Sequence, residues 1–139
     1  MIYVMLDLRK RGQDIRKFIE MLELWMIRVL NSLSLDARTY PDRVGLWVKS
    51  DQVNQYAESK ISAIGIRLRK WVSFHGLSLN IAPNLAHFDG IIPCGISNHG
   101  VTSLNQFGIN VPVAEIDARL KQEFELVFSQ VKDINFENF

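Results

Sequence analysis

Apolar residues with helical spacing flank a central region with strand spacing. Between Asp14 and Asn31 the apolar side chains recur every three to four positions, which predicts an amphipathic helix with Asp14 as its N-cap. A second stripe of this kind follows Asn110 and Pro112 and predicts a second helix. The opening residues 1–8 are short, apolar and rich in strand formers, so we expect a buried strand there.

The middle of the chain has the pattern of an antiparallel sheet. Residues 40–42 (YPD) predict a turn, and residues 44–48 (VGLWV) predict a short strand after it. From 60 to 81 apolar and polar residues alternate on both sides of Arg69 and Lys70, which predicts two antiparallel strands. Residues 101–104 fit either a strand or a first helical turn. We therefore expect one α/β (α+β) domain over residues 1–139, with a largely antiparallel sheet and two packed helices.

Composition narrows the class of protein. The 139 residues are 47% hydrophobic and 22% charged, which excludes a disordered tail. A net charge of +1 gives no bulk attraction for nucleic acid. The longest apolar run, residues 1–6, is too short for a membrane span, and the start lacks the order of a secretory signal. We therefore expect a cytoplasmic protein that binds neither nucleic acid nor membrane.

Compact catalytic signatures are absent from the sequence. It contains no Walker loop, no Gly-x-Gly-x-x-Gly, no Gly-x-Ser-x-Gly and no His-Glu-x-x-His. His75, His87 and His99 are spaced by twelve residues without nearby paired carboxylates, which is more typical of strand or loop histidines than of metal ligands. The single cysteine excludes an internal disulfide and a cysteine-rich metal site. We expect neither a metal nor a cofactor.

Cys94 and Lys60 are the candidates for chemistry. Cys94 could be a small buried hydrophobe, but Pro93 and Gly95 create a tight backbone suited to presenting a side chain at a site. Lys60 begins an apolar strand pattern, where a lysine normally points to water, although a desolvated amine could carry protons. A thiol needs an electropositive neighbour or a base to react at neutral pH. Spacing alone leaves open whether the two side chains meet.

Three separated motifs resemble the lipoyl(octanoyl) transferase family. They are residues 60–65 (KISAIG), 74–80 (FHGLSLN) and 88–96 (FDGIIPCGI), and they occur in the order and at the spacings of that family. Residues 100–104 (GVTSL) and 3–11 (YVMLDLRKR) extend the match. The resemblance implies a fold like the catalytic domain of biotin and lipoate ligases.

The resemblance also implies a reaction and its residues. The family transfers an octanoyl group from octanoyl-acyl carrier protein to a lysine of a lipoyl domain, in 2-oxoacid dehydrogenase complexes and in the glycine cleavage H protein. Cys94 matches the nucleophile that forms an acyl-thioester, and Lys60 matches the residue that lowers the thiol pKa and acts as a general base. Apolar strand faces would line the acyl slot, and Gly65 and Gly76 would let the ligand approach the backbone. The family's acyl-substrate contacts match Ala63, Ile64, Gly65, Gly76, Leu77 and Ser78.

The chain departs from the family at its start. Members carry an upstream Arg-Gly-Gly stretch and a Thr-Tyr-His-Gly-Pro-Gly run that contribute to the acyl site, and neither occurs here. We therefore expect a form truncated at the N-terminus, for which an inactive remnant or a non-enzymatic acyl- or partner-binding domain is the alternative function. ATP-dependent ligation is less favoured, because the sequence has no Gly-Arg-Gly-Arg run and a ligase would not need the cysteine.

Overall fold

The computed structural model describes residues 1–83 and 99–129. The predicted loop carrying His87 and Cys94, and the tail 133–139, lie outside these residues. Short 3₁₀ turns at Leu8–Arg11 and Leu104–Phe107 accompany the regular elements. In chain order the strands and helices of the described residues are β1 (Ile2–Tyr3), α1 (Ile15–Ser32), β2 (Ala37–Tyr40), β3 (Arg43–Lys49), β4 (Glu58–Arg69), β5 (Val72–Leu79), β6 (Gly100–Val101) and α2 (Val113–Ser129).

The sheet is largely antiparallel, as predicted. Its strand order is β1-β5-β4-β3-β2, with every neighbouring pair antiparallel, and β6 joins β4 in parallel. The predicted β4–β5 hairpin turns at Lys70 and Trp71, whose φ angles of 50° and 64° are those of a two-residue hairpin turn with left-handed backbone. The twelve-residue β4 is the central strand, and its residues 59–62 are buried.

Both predicted helices are present and cover one face of the sheet. The Asp14 carboxylate accepts a hydrogen bond from the Lys17 N–H at 3.0 Å, so it caps α1 as expected. Trp25 of α1 meets Phe124 of α2 edge to face, with 5.0 Å between the ring centroids. The core includes buried side chains from both helices and from the strands, among them Leu22, Met26, Leu46, Val48, Ile61, Leu77, Ile116 and Val127.

The opening segment differs from the predicted buried strand. The regular strand is limited to Ile2–Tyr3 at the edge of the sheet beside β5, and an isolated antiparallel bridge joins Asp7 to Val72 further along. Met1, Tyr3 and Met5 are 83%, 66% and 69% exposed, whereas Val4 is buried. An edge strand covered on one face buries only alternate side chains, which explains the difference. No helix among the described residues is long and apolar enough to cross a membrane.

Candidate active site

Lys60 lies in the interior of the sheet. It is the register partner of Trp47 in β3 and of Val101 in β6, and its carbonyl accepts a hydrogen bond from the Thr102 N–H at 3.0 Å. The residue is only 6% exposed. The expectation that a lysine at this position points to water is therefore wrong, because β4 begins at Glu58 and is flanked by two strands at Lys60.

A β-bulge in β4 sets the face on which Lys60 lies. Trp47 pairs with Lys60 and the preceding Leu46 pairs with Ser62, so β4 carries one extra residue at this point, Ile61. Ile61 and Ser62 are both buried, at 0% and 1% exposure. Bulges of this kind redirect side chains and are common beside active sites.

Beyond the bulge, Lys60 shares a face with two small residues. Ile64 and Ile66 pack against the core on the helix side, so alternation directs Ala63 and Gly65 to the opposite face. Simple alternation without the bulge would have grouped Lys60 with Ile64 and Ile66 instead. The exposed face of β4 next to Lys60 therefore carries two small residues and is open to solvent.

The six predicted substrate contacts form three cross-strand pairs. Leu77 is 1% exposed and belongs to the core, so its side chain is not available to a ligand, although its backbone lies among the same three pairs. The register of β4 and β5 pairs Ala63 with Ser78, Ile64 with Leu77, and Gly65 with Gly76.

The two glycines among these six residues, Gly65 and Gly76, differ in whether packing explains them. A Cβ at Gly76 would lie 2.1 Å from the backbone oxygen of Ile2, so the close approach of β1 is enough to require glycine there. A Cβ at Gly65 would have no atom of the described residues within 4 Å. Packing therefore does not explain Gly65, and a ligand that approaches the backbone at this point stays a prediction.

Five side chains next to Lys60 form a polar and aromatic group that we call the Arg43 cluster: Tyr40, Arg43, Trp47, Glu58 and His99. The Arg43 guanidinium lies over the rings of Tyr40 and Trp47, at 3.9 and 4.4 Å from their centroids. It also forms an ion pair with Glu58 at 2.5 Å and contacts His99 Nε2 at 2.5 Å. The Tyr40 hydroxyl donates a short hydrogen bond to the other Glu58 oxygen.

These contacts shift the pKa values of Glu58 and Tyr40. Burial by itself would raise the pKa of Glu58, but hydrogen bonds from Tyr40 and Arg43 outweigh it and hold the pKa below its usual value. The hydrogen bond to Glu58 raises the pKa of Tyr40. A guanidinium can only donate, so Arg43 is the donor in its contact with His99 Nε2.

The segment that follows the predicted loop of Cys94 joins the sheet as β6, next to Lys60. A Cβ at Gly100 would lie 2.4 Å from Tyr56 Cδ2 and 2.8 Å from Ser59 Oγ, so only glycine fits where β6 meets β4. Asn80, the last residue of FHGLSLN, donates from its side chain to the Thr102 carbonyl at 3.0 Å. Two of the recognised motifs are thus joined beside Lys60, while Cys94 itself lies outside the described residues.

Sequence reasoning did not find the Arg43 cluster. One available signal was the two-residue loop Pro41-Asp42, because it makes Tyr40 and Arg43 register partners across the β2–β3 turn. Another was Trp47, which alternates with the core residues on either side of it in β3. Across 1–83 and 99–129, no three His, Cys, Asp or Glu side chains are grouped so that they could hold a metal ion.

Solved structures with this fold include biotin and lipoate ligases. The biotin protein ligase from Aquifex aeolicus superposes with a TM-score of 0.68 at 14% identity, over 99% of this chain and 56% of the ligase chain. The lipoate protein ligase of Thermoplasma acidophilum gives a TM-score of 0.67 at 15% identity, over 91% of this chain and 49% of that chain. At such identities the likeness establishes the fold alone, and it confirms the expected catalytic-domain architecture.

Curated relatives are much closer in sequence. The octanoyltransferase of Bartonella henselae is 52% identical over 138 residues, which cover 96% of this chain and 56% of the relative. That of Sinorhizobium medicae is 52% identical over 136 residues, covering 94% and 52%. The chain therefore spans about half the length of the curated relatives it matches. The family model of the lipoyl protein ligase A/B catalytic domain matches residues 1–125, and the chain belongs to that family.

Proposed function

We propose that the chain transfers an octanoyl group from octanoyl-acyl carrier protein to a lysine of a lipoyl domain, with Cys94 as nucleophile and Lys60 as its partner. The observation that carries this proposal is the buried position of Lys60 beside Val101, which follows Cys94 by seven residues. The 52% identity to proteins named octanoyltransferase supports the same reaction.

In the first step the Cys94 thiolate attacks the carbonyl carbon of the octanoyl thioester. A new carbon–sulfur bond forms, the bond to the carrier sulfur breaks, and the leaving carrier thiolate takes a proton from the Lys60 ammonium, which leaves Lys60 as a neutral amine for the second step. One thioester replaces another, so the step is close to level in free energy and needs no ATP. The ammonium of Lys60 would lower the pKa of the thiol and so raise the fraction of thiolate.

Backbone N–H groups near Ile64 and Gly65 would stabilise the oxyanion that forms on the carbonyl oxygen. The β3–β4 register ends at Leu46 and Ser62, so within the described part of the chain β4 has only β5 as a neighbour beyond that point. Unpaired strand edges present N–H donors, which is the requirement for an oxyanion site. The backbone of Gly95 is the other candidate from the sequence.

In the second step the amine of the lipoyl-domain lysine attacks the acyl-Cys94 carbonyl. The carbon–nitrogen bond of the amide forms, the Cys94 thiolate leaves, and Lys60 accepts the proton that the amine loses. The acceptors we propose are the lipoyl domains of 2-oxoacid dehydrogenase complexes and the glycine cleavage H protein, and the reaction would take place in the cytoplasm.

The acyl chain would lie along the face that Lys60 shares with Ala63 and Gly65. Both residues are small and exposed, and space is open above Gly65. Each methylene buried in such a slot contributes about 0.8 kcal/mol, so the depth of the slot can select chain length.

The alternative is an acyl- or partner-binding domain without turnover. The test mixes the chain with octanoyl-acyl carrier protein and a purified lipoyl domain and follows octanoylation of the lipoyl domain by mass spectrometry. We expect modified lipoyl domain with the native chain and none with Cys94→Ala. Binding of octanoyl-carrier protein without any modified lipoyl domain would favour the alternative and reject the enzyme.

A further inference from the structure

Trp47 is the cross-strand partner of the lysine that the proposed reaction uses. The Lys60 Nζ atom lies over the Trp47 ring, 4.9 Å from its centroid. Both residues are buried, with Trp47 at 2% exposure and Lys60 at 6%. An ammonium held over an indole face is attracted by the negative charge of that face, and the attraction is stronger where water is excluded.

The indole itself is held in place by the rest of the Arg43 cluster. The Arg43 guanidinium lies 4.4 Å from the Trp47 ring centroid and is fixed by Glu58 and His99, at 2.5 Å each. The His99 ring meets Trp47 edge to face at 5.2 Å. A second cation and a second ring therefore limit the rotation of Trp47, so the surface under Lys60 is preorganised.

Gly45 provides the space for the Lys60 stem. A Cβ at this position would lie 3.3 Å from Lys60 Cε and 3.6 Å from Cδ, and 2.7 Å from the Ser62 carbonyl oxygen. The φ angle of Gly45 is 116°, a backbone conformation that other residues rarely adopt. The stem therefore passes over a glycine and reaches the indole two residues further along β3.

We propose that Trp47 is a positioning residue for Lys60: its indole, fixed by Arg43, sets where the Lys60 nitrogen lies relative to the reacting thioester. This inference rests on the proposed function, because Lys60 needs a defined place only if it acts on Cys94 and the acyl group. Loss of one cation–π contact of this kind corresponds to a decrease of about two- to thirtyfold in a rate constant.

A purely structural role for Trp47 predicts something different. If the indole only filled space, the site would tolerate leucine and phenylalanine according to their volumes, and neither substitution would change the position of the Lys60 side chain. Phenylalanine keeps an aromatic face for the ammonium, whereas leucine does not. The pair Trp47→Phe and Trp47→Leu therefore separates positioning from packing.

The experiment records the ε-CH₂ resonances of the lysines by NMR in the full chain without substrate, with Lys60→Arg identifying the Lys60 signal. Protons above an aromatic face are shifted upfield by the ring current. We expect Lys60 upfield of the other lysines in the native chain and in Trp47→Phe, and at their position in Trp47→Leu. Transfer to the lipoyl domain should fall two- to thirtyfold in kcat for Trp47→Leu, with KM for octanoyl-carrier protein unchanged and most of the rate retained in Trp47→Phe.

Trp71→Leu is the matched control, because Trp71 lies at the hairpin turn, roughly 30 Å along β4 from Lys60. It should change neither readout. Arg43→Gln is the second variant if Trp47→Leu does not fold: it frees the indole, and we expect a smaller upfield shift and slower transfer.

Three results would overturn the proposal. The first is a Lys60 signal that coincides with the other lysines in the native chain, and the second is an equal loss of transfer rate in Trp47→Phe and Trp47→Leu. The third is a native transfer rate in Trp47→Leu, or in Arg43→Gln if Trp47→Leu does not fold. Failure of the proposed function would be recognised separately, by the absence of transfer with the native chain or by a native transfer rate in Lys60→Ala, since the NMR signal is recorded without substrate.

Discussion

Gly65→Val adds a branched side chain to the face of β4 that carries Lys60 and Ala63. A Cβ at Gly65 meets no atom of the described residues within 4 Å, and the backbone there is not left-handed, so the site has room for a β-carbon. Valine is also a better strand former than glycine on a scale that spans about 1 kcal/mol. We therefore expect the free energy of unfolding to stay the same or to rise by up to about 1 kcal/mol.

The same substitution should damage the reaction in proportion to the length of the acyl chain. If the valine displaces three methylenes from the slot at about 0.8 kcal/mol each, about 2.4 kcal/mol of binding is lost, or about sixtyfold in kcat/KM for octanoyl-carrier protein. A four-carbon acyl chain that ends before Gly65 should lose much less. Gly65→Ala should lie between the native chain and the valine variant.

The assay combines urea unfolding with transfer rates from acyl-carrier proteins of four, six and eight carbons. Arg69→Val is the matched control, because Arg69 lies on the same face about 13 Å further along β4. It should leave the chain-length profile unchanged. The assignment of the slot to this face is refuted if Gly65→Val slows all three donors equally or slows none of them.

Three further substitutions test separate parts of the account. Lys60→Ala should keep the fold, as judged by circular dichroism. It should slow octanoyl transfer at least about a hundredfold, which is the usual contribution of acid–base catalysis, and an unchanged rate would show that Lys60 has no catalytic role. Gly76→Ala must displace the Ile2 oxygen, 2.1 Å from the new Cβ, and should cost about 1–3 kcal/mol in urea unfolding, whereas an unchanged midpoint would contradict the β1 pairing. The pKa of Glu58 in the folded chain lies below its ordinary value of 4.5. The stability that the ionised Glu58 gives to the fold is therefore complete above pH 4.5, and it is lost as the pH falls through the lowered pKa of the folded chain. Unfolding followed from neutral pH to about pH 3 should therefore show a shallower acid loss in Glu58→Gln, and identical slopes would refute the Arg43–Glu58 assignment.

Local patterns in the sequence predicted the helices and the long hairpin. Asp14 and Pro112 lie where the structure begins α1 and α2, because capping and the fixed φ of proline act within one turn. The β4–β5 pair followed from the alternation on both sides of Lys70. The four-residue strand β2 was missed, because a segment so short has no measurable alternation.

The details that shape the site depend on residues far apart in sequence. The bulge at Ile61 is a shift of one residue between two strands, and nothing in the local pattern of β4 indicates it. Arg43 meets Glu58 and His99, which lie 15 and 56 positions away, so only the folded sheet brings them together. The family motifs pointed to Lys60 without giving its burial or its contact with Trp47.

The most direct test of the account is the intact mass of the chain after brief exposure to octanoyl-acyl carrier protein, without an acceptor. Because the chain has a single cysteine, a thioester adduct has only one possible site. We expect the mass to increase by one octanoyl group in the native chain, with the adduct removed by hydroxylamine, formed slowly in Lys60→Ala and absent in Cys94→Ala. A native chain that stays unmodified, or an adduct that persists in Cys94→Ala, would contradict the proposed mechanism.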